Sequence, residues 1–193
     1  MFTEDYLMRI INQAIAALLA AIGLRKAGKY LEATQAVEQA IEQVTALPTN
    51  VVDEMEDASL LTMLTSNGQL DIGRLAVLAD LYQEQGEILF GLDQPTQGLI
   101  AFGRALRFIL EVALAENAGL PPETMGKVET LTQRLKGCDL PVDTQMVLSD
   151  YYRQLLAQDD RTLAAGGMSR KRITQELEKL QDQLDSSMNP MGN

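Results

Sequence analysis

Small residues at helical spacing constrain this chain more than any other feature of its sequence. In the stretch GKYLEATQAVEQAI, residues 28–41, Ala33 precedes Val37 by four positions and Ala40 follows three positions later. This spacing places all three side chains on one face of a helix. Small side chains on such a face let a second helix approach closely, and larger apolar neighbours fill the gaps between contacts. The pattern therefore predicts a close-packed antiparallel helical hairpin.

The same helical period runs through most of the chain. Helices are predicted over residues 4–27, 30–46, 71–90, 95–116, 121–137, 141–158 and 169–186. A further short helix is predicted to start at Asp57 or Ser59 and to end at Asn67-Gly68. β-branched residues form no alternating runs, and Ala, Leu, Gln and Glu dominate the composition. We therefore expect an all-α protein built from antiparallel helical hairpins.

The small-large-small spacing recurs once, in the stretch QGLIAFGRAL. The second copy consists of Gly98, Phe102 and Ala105. Upstream positions match as well, because Leu24 and Leu89 each lie nine residues before the first small residue of their copy. The two matching units cover about residues 14–47 and 79–112.

These spacings resemble the tetratricopeptide repeat, which pairs two antiparallel helices through small and aromatic residues at fixed positions. The resemblance implies a degenerate tetratricopeptide-like protein of a bacterial family, with hairpins packed as a right-handed superhelix. A closed helical bundle is the alternative. We expect this domain to cover residues 1–165. Residues 166–193 are predicted to form a Gly-Gly hinge, an amphipathic helix and a disordered tail.

The resemblance also implies a partner-binding face, because the first helix of each tetratricopeptide unit lines a concave surface. In the second repeat-like stretch, residues 79–112, the corresponding positions are Asp80, Gln83 and Glu87. Their acidic character suits a basic partner segment. In the first repeat-like stretch, residues 14–47, the positions are Ile15, Leu18 and Ile22. Aliphatic side chains rarely stay bare in water, so we expect a helix of this chain or of a second copy to cover them.

The longest uncharged apolar stretch, residues 12–24, belongs to the first predicted helix. It is shorter than the ~20 residues that a membrane span needs. Glu4 and Asp5 precede it, which is unlike the basic leader of a signal peptide. An almost uniformly apolar helix is usually buried on several sides. We therefore expect this helix at the centre of the bundle and expect no association with a membrane.

The last predicted helix carries a short apolar stripe. The stripe consists of Ile173, Leu177, Leu180 and Leu184. A helix of this kind is marginal in isolation. It either folds back onto the core of its own chain or docks on a partner or a second subunit, which leaves a homodimer open. The basic residues 170–172 precede the stripe, and we expect them to pair with the acidic segment 30–93.

Charge is distributed unevenly along the chain. The net charge is −11, and residues 30–93 hold twelve acidic residues and one basic residue. Such a field repels nucleic acid, so no nucleic-acid partner is expected. It favours either a basic protein or peptide partner or simply a solvated acidic surface.

The sequence lacks the residues of common catalytic and metal sites. There is no histidine, which removes the usual general base and metal ligand, and Cys138 is the only cysteine. Phosphate-binding glycine motifs are absent from the sequence. The acidic cluster at residues 53–57 lacks the spacing of a calcium-binding loop. We therefore expect no catalysis, no cofactor and no metal, and the single thiol favours the cytoplasm.

Two functions remain after these exclusions. The first is a non-catalytic interaction module that binds a protein through its acidic surface or its last helix. The second is a bundle that holds a small regulatory molecule near Tyr82, Phe102 and Tyr151.

Overall fold

The computed structural model describes residues 2–115 and 120–188 of the chain. These residues form ten helices and one small β-hairpin. The elements are α1 (Phe2–Lys26), α2 (Tyr30–Thr45), α3 (Thr49–Glu54), α4 (Asp57–Met63), β1 (Thr65–Ser66), β2 (Gln69–Leu70), α5 (Ile72–Gly91), α6 (Pro95–Ala115), α7 (Pro122–Arg134), α8 (Val142–Leu156), α9 (Asp160–Ala165) and α10 (Arg170–Met188). The prediction of an all-α fold is confirmed, and most helix ends lie within one to three residues of the predicted ones.

Local signals fix several of these ends. Gly28, with φ +76°, follows the end of α1 and turns the chain into α2. Asp71 caps α5, because its carboxylate accepts a hydrogen bond from the backbone N–H of Arg74 at 3.0 Å. Pro95 begins α6, where its missing N–H costs no helical hydrogen bond.

One predicted boundary is wrong. The sequence predicts that the short helix starting at Asp57 or Ser59 ends at Asn67-Gly68. In the structure this helix, α4, ends at Met63. Asn67 and Gly68 instead form the two-residue turn of the β1–β2 hairpin, with φ values of +53° and +74°. Positive φ at both positions is typical of the turn that Asn-Gly forms in a tight hairpin. The hairpin pairs Thr65 with Leu70.

The chain divides into two compact units, residues 1–108 and 109–193. In the first unit α1 and α2 form a hairpin, and α5 packs against both of its helices. In the second unit α8 packs against α10. The predicted division at residues 165 and 166 stays a prediction, and the tail after Met188 lies outside the described residues.

The close helix contacts predicted from the small residues are present in the first unit. Ala33, Val37 and Ala40 are fully buried. Gly98 is buried too, and a Cβ atom added there would lie 3.1 Å from the carbonyl oxygen of Gly86. The backbones of α5 and α6 therefore touch, as expected for the second hairpin. A superhelical or a closed arrangement of these hairpins stays a prediction.

Helix α1 does not occupy the centre of its unit, and that prediction is wrong. Ala14 and Ala21 are buried, but Leu19 is 64% exposed and Ile15 is 40% exposed. Helices α2 and α5 pack against α1, and they leave Ile15 and Leu19 exposed. The apolar composition of α1 therefore reflects an uncovered face rather than burial on several sides.

The last helix, α10, packs on its own chain. Three residues of its apolar stripe, Ile173, Leu180 and Leu184, are buried, and Leu177 is half-buried. α8 is its main neighbour. Of the two alternatives left open by the sequence, the structure has the one in which α10 folds back.

The basic residues at the start of α10 pair within the second unit. Arg170 donates to the carboxylate of Asp160 at 2.6 Å and to the carbonyl oxygen of Leu156 at 2.6 Å. Arg172 pairs with Glu129 of α7. The expectation that these residues pair with the acidic segment 30–93 is therefore wrong for Arg170 and Arg172.

The Gly166-Gly167 pair, predicted as a hinge, ends α9. The N–H of Met168 donates back to the carbonyl oxygen of Leu163 at 2.9 Å, and Gly167 has φ +71° between them. Gly166 lies against Met125, because a Cβ atom added there would lie 2.3 Å from the methionine methyl carbon. The positive φ of Gly167 favours glycine in this turn, and the small size of Gly166 leaves room for the Met125 side chain.

Candidate functional site

An open depression of about 300 Å³ lies in the first unit between α3, α5 and α6. Its lining consists of Asp53, Tyr82, Gln85, Leu89, Gln97, Ile100, Ala101 and Arg104. Aliphatic and aromatic side chains form part of this lining, and two amides, one carboxylate and one guanidinium form the rest. Ile100 at the rim is 64% exposed, so its side chain is available for contact from solvent.

Arg104 builds one wall of the depression and is almost saturated with partners. Its guanidinium donates to the carboxylate of Asp57 at 2.8 Å and to the carbonyl oxygen of Val52 at 3.0 Å. It also donates to the carbonyl oxygen of Met55. A buried guanidinium is stable only when its donors are used, and here they hold the α3–α4 segment against α6. Arg104 is therefore a structural residue of the site.

Tyr82 links Arg104 to the exposed carboxylate of the depression. Its hydroxyl accepts a hydrogen bond from Arg104 at 3.0 Å and donates one to Asp53 at 3.4 Å. The guanidinium also lies over the tyrosine ring, 5.1 Å from its centre. Burial raises the pKa of Tyr82, so the hydroxyl keeps its proton at neutral pH.

Asp53 is the charged group of the depression that remains open to a partner. Its side chain is 46% exposed, and its nearest Arg104 nitrogen lies 3.7 Å away. Desolvation raises the pKa of Asp53, while Arg104 and the Tyr82 hydroxyl oppose that rise. Arg104 therefore neutralises the Asp53 carboxylate only in part, and a cation from solvent can still pair with it.

More carboxylates lie on the adjoining surface of α2. Desolvation raises the pKa of Glu38, and the nearby charges of Asp53 and Glu42 add to that rise. The Glu42 carboxylate accepts a hydrogen bond from the backbone N–H of Thr49 at 3.1 Å, which ties the start of α3 to α2. The surface next to the depression is thus acidic as well.

Arg104 and Tyr82 are committed to contacts within the unit, and the charge of the Asp53 carboxylate acts on that of Glu38. The one thiol, Cys138, belongs to the second unit. Among residues 2–115 and 120–188, His, Cys, Asp and Glu form no group that could hold a metal ion.

The structure separates the predicted partner-binding residues from this depression. Asp80, Gln83 and Glu87 are half-buried on another face of α5, where the charge of Glu87 acts on Arg25 of α1. The neighbouring Glu84 is buried and pairs with the Arg25 guanidinium at 2.6 Å and 3.0 Å. The stripe on α10 belongs to the second unit and is largely covered by its own chain.

Of the residues proposed for a small-molecule site, Tyr82 and Phe102 belong to the first unit. Tyr82 lines the depression, but Phe102 is fully buried and stacks on Phe90 at 5.6 Å between ring centres. Tyr151 belongs to the second unit.

Sequence reasoning missed Arg104 and the depression. The available signal was the first of two arginines in the apolar stretch AFGRALRF, together with the acidic cluster at residues 53–57. A cation on the buried face of a helix needs carboxylate or carbonyl partners, and the acidic cluster supplies the carboxylates.

Comparisons with protein families, curated proteins and solved structures give no match for this chain. One described helix segment, Asp5–Lys26 of α1, has the length and apolar composition of a membrane span. Only 11% of its most apolar window is buried, so its composition is not explained by burial in the first unit.

Proposed function

We propose that this protein is a non-catalytic interaction module that binds a basic, partly apolar segment of another protein. The observation that carries the proposal is the open depression that is lined by the exposed Asp53 carboxylate and by the apolar side chains of Leu89 and Ile100. The proposal places the protein in the cytoplasm, which its single thiol favours.

Charge supports a basic partner. A lysine or arginine of the partner would approach Asp53 in the field of the acidic segment 30–93, which carries one basic residue. Such a field raises the association rate of a cation and weakens as salt is added.

Shape supports a short segment of a protein. The cavity is at the lower end of the volumes of small-molecule sites, and it opens to solvent along the α5–α6 groove. The side-chain amides of Gln85 and Gln97 can hydrogen-bond to a peptide backbone, while Ile100 offers an apolar contact. A small regulatory ligand in the same depression is the competing function.

A random peptide library selected on the immobilised full-length chain tests the proposal. Selected peptides are expected to combine lysine or arginine with an aliphatic residue. In fluorescence anisotropy, Ile100→Ser is expected to weaken their binding about 10-fold, because an exposed apolar anchor is lost. Asp53→Asn is expected to weaken binding about 3-fold to 10-fold and to reduce its salt dependence.

Two variants serve as matched controls. Leu19→Ser removes an equally exposed aliphatic residue from α1, and Glu54→Gln removes a carboxylate next to Asp53 in sequence. Both should bind the selected peptides like the natural chain. Selected peptides without basic residues, or equal binding by Ile100→Ser, would contradict the proposal. A metabolite that raises the melting temperature of the natural chain but not of Ile100→Ser would favour the small-molecule alternative.

A further inference from the structure

Helix α1 presents an uncovered heptad seam. Met8, Ile15 and Leu19 are 53%, 40% and 64% exposed. With the exposed Asn12 and the half-buried Ile22, they follow the alternating four-and-three spacing of coiled-coil core positions. Three of the five seam residues thus expose large apolar side chains, which a soluble helix normally covers.

Opposite charges flank the seam. Asp5 continues the heptad spacing at its N-terminal end and Lys26 continues it at its C-terminal end, and both side chains are exposed. In a parallel pair of such helices, Asp5 would face Asp5 and Lys26 would face Lys26. In an antiparallel pair each Asp5 lies near a Lys26 of the other helix, so the charges attract.

We propose that α1 pairs antiparallel with α1 of a second copy of this chain, through the seam and its two end charges. In the antiparallel register that sets Leu19 of one copy opposite Ile15 of the other, Lys26 lies opposite Met8, one helical turn from Asp5, and the two-fold symmetry repeats these contacts. Ala16 and Gly23 flank the seam, and a Cβ atom added at Gly23 would meet nothing within 4 Å. On this side of the seam, the small residues allow the helices to approach closely.

The size of this surface sets the strength of the dimer. From Asp5 to Lys26 the helix is about 33 Å long, at about 1.5 Å per residue. The area that one helix face of this length can bury lies at the lower end of the range for stable interfaces. The dimer is therefore expected to dissociate at micromolar concentrations. The proposal is independent of the peptide-binding function, because the seam and the depression use different residues.

Analytical ultracentrifugation of the full chain tests the pairing. The natural protein is expected to dimerise, and Leu19→Glu is expected to raise the dissociation constant at least about 10-fold, because it places two carboxylates in the apolar seam. Leu31→Glu changes a leucine of α2 that is 73% exposed, in the same unit, and should leave the dissociation constant unchanged. A natural chain that stays monomeric at every concentration, or a dimer indifferent to Leu19→Glu, would overturn the proposal.

Charge reversal tests the direction of pairing. Asp5→Lys and Lys26→Asp should each weaken the dimer, and the double variant should restore it, because opposite charges again meet across the pair. Unchanged dimerisation in both single variants, or a double variant weaker than either single one, would overturn the antiparallel arrangement.

Disulfide trapping supplies a second, independent test of direction. In a Cys138→Ser background, chains with Ile15→Cys and chains with Leu19→Cys are mixed and oxidised. The antiparallel seam predicts disulfides mainly between the two kinds of chain, whereas a parallel pair would give like-with-like disulfides and overturn the proposal.

A membrane is the other surface that an exposed apolar helix can enter. Flotation with vesicles of phosphatidylcholine and phosphatidylglycerol tests this directly. We expect the dimeric chain not to float with the vesicles. Vesicle binding that is lost in Leu19→Glu, together with a monomeric chain in solution, would assign the seam to the lipid surface and overturn the pairing.

Discussion

Gly86 and Gly98 determine at the scale of single residues how closely α5 and α6 approach. A Cβ atom at Gly86 would lie 2.4 Å from the ring of Phe102, and one at Gly98 would lie 2.5 Å from the ring of Phe90. The two rings stack on each other, so neither can move without disturbing the other. The aromatic residues thus occupy the space that the glycines leave.

Gly86→Ala is therefore expected to destabilise the protein by about 1–3 kcal/mol, the usual cost of overpacking a core. Gly103→Ala is the control within α6, because a Cβ atom there would meet nothing within 4 Å. That change should raise stability by about 0.5–1 kcal/mol, since alanine restricts the unfolded chain more than glycine does. Urea unfolding measures both, and a Gly86→Ala variant as stable as the natural protein would contradict the described contact.

The helices could be predicted because periodicity, glycine and proline are local signals. The small residues also predicted which faces meet, since Ala33 and Gly98 are buried as expected. The sequence signal for Arg104 indicates a buried cation with acidic partners but not a depression, because Arg104 and Val52 approach only after the chain between them has folded. Periodicity likewise gives no count of neighbouring helices, so it predicts a central position that α1 does not have.

At the scale of elements, α10 shows how a marginal helix is held. Its apolar stripe rests mainly on α8, and Arg172 ties its first turn to Glu129 of α7. Tyr152 of α8 belongs to the same cluster, where burial raises the pKa of its hydroxyl to about 12. These contacts supply the order that the helix lacks in isolation.

Ile173→Ala is expected to destabilise the protein by about 2–4 kcal/mol, because the side chain is fully buried and its loss leaves a cavity. Gln175→Ala changes an exposed position of the same helix and should alter stability by less than about 0.5 kcal/mol. Urea unfolding followed by circular dichroism measures both. Equal stability of the two variants would mean that α10 serves a partner rather than its own unit.

At the scale of the whole molecule, the excess of carboxylates makes stability depend on pH. The net charge is −11, and two acids of the first unit, Glu38 and Asp53, are partly desolvated. Desolvation raises the pKa of both above their ordinary values of 4.5 and 3.8. The folded chain therefore binds protons at a higher pH than the unfolded chain does.

The sign of the pH dependence follows from these raised pKa values. A raised pKa in the folded state gives a stabilising contribution that is complete below the ordinary pKa and is lost as pH rises through the raised one. Asp159 acts in the opposite direction, because hydrogen bonds from Thr162 lower its pKa, and its contribution is lost only below about pH 3.8. Between about pH 7 and pH 5 the raised pair dominates.

The free energy of unfolding is therefore expected to increase as pH falls from about 7 to about 5. Glu38→Gln should raise stability at pH 7 and flatten this dependence, because an uncharged amide has no comparable desolvation cost at that site. Glu178→Gln removes an exposed carboxylate of α10 and controls for the change in net charge. Urea unfolding at several pH values measures all three chains. An unfolding free energy that falls toward pH 5, or equal slopes for Glu38→Gln and Glu178→Gln, would contradict the desolvation of Glu38 described here.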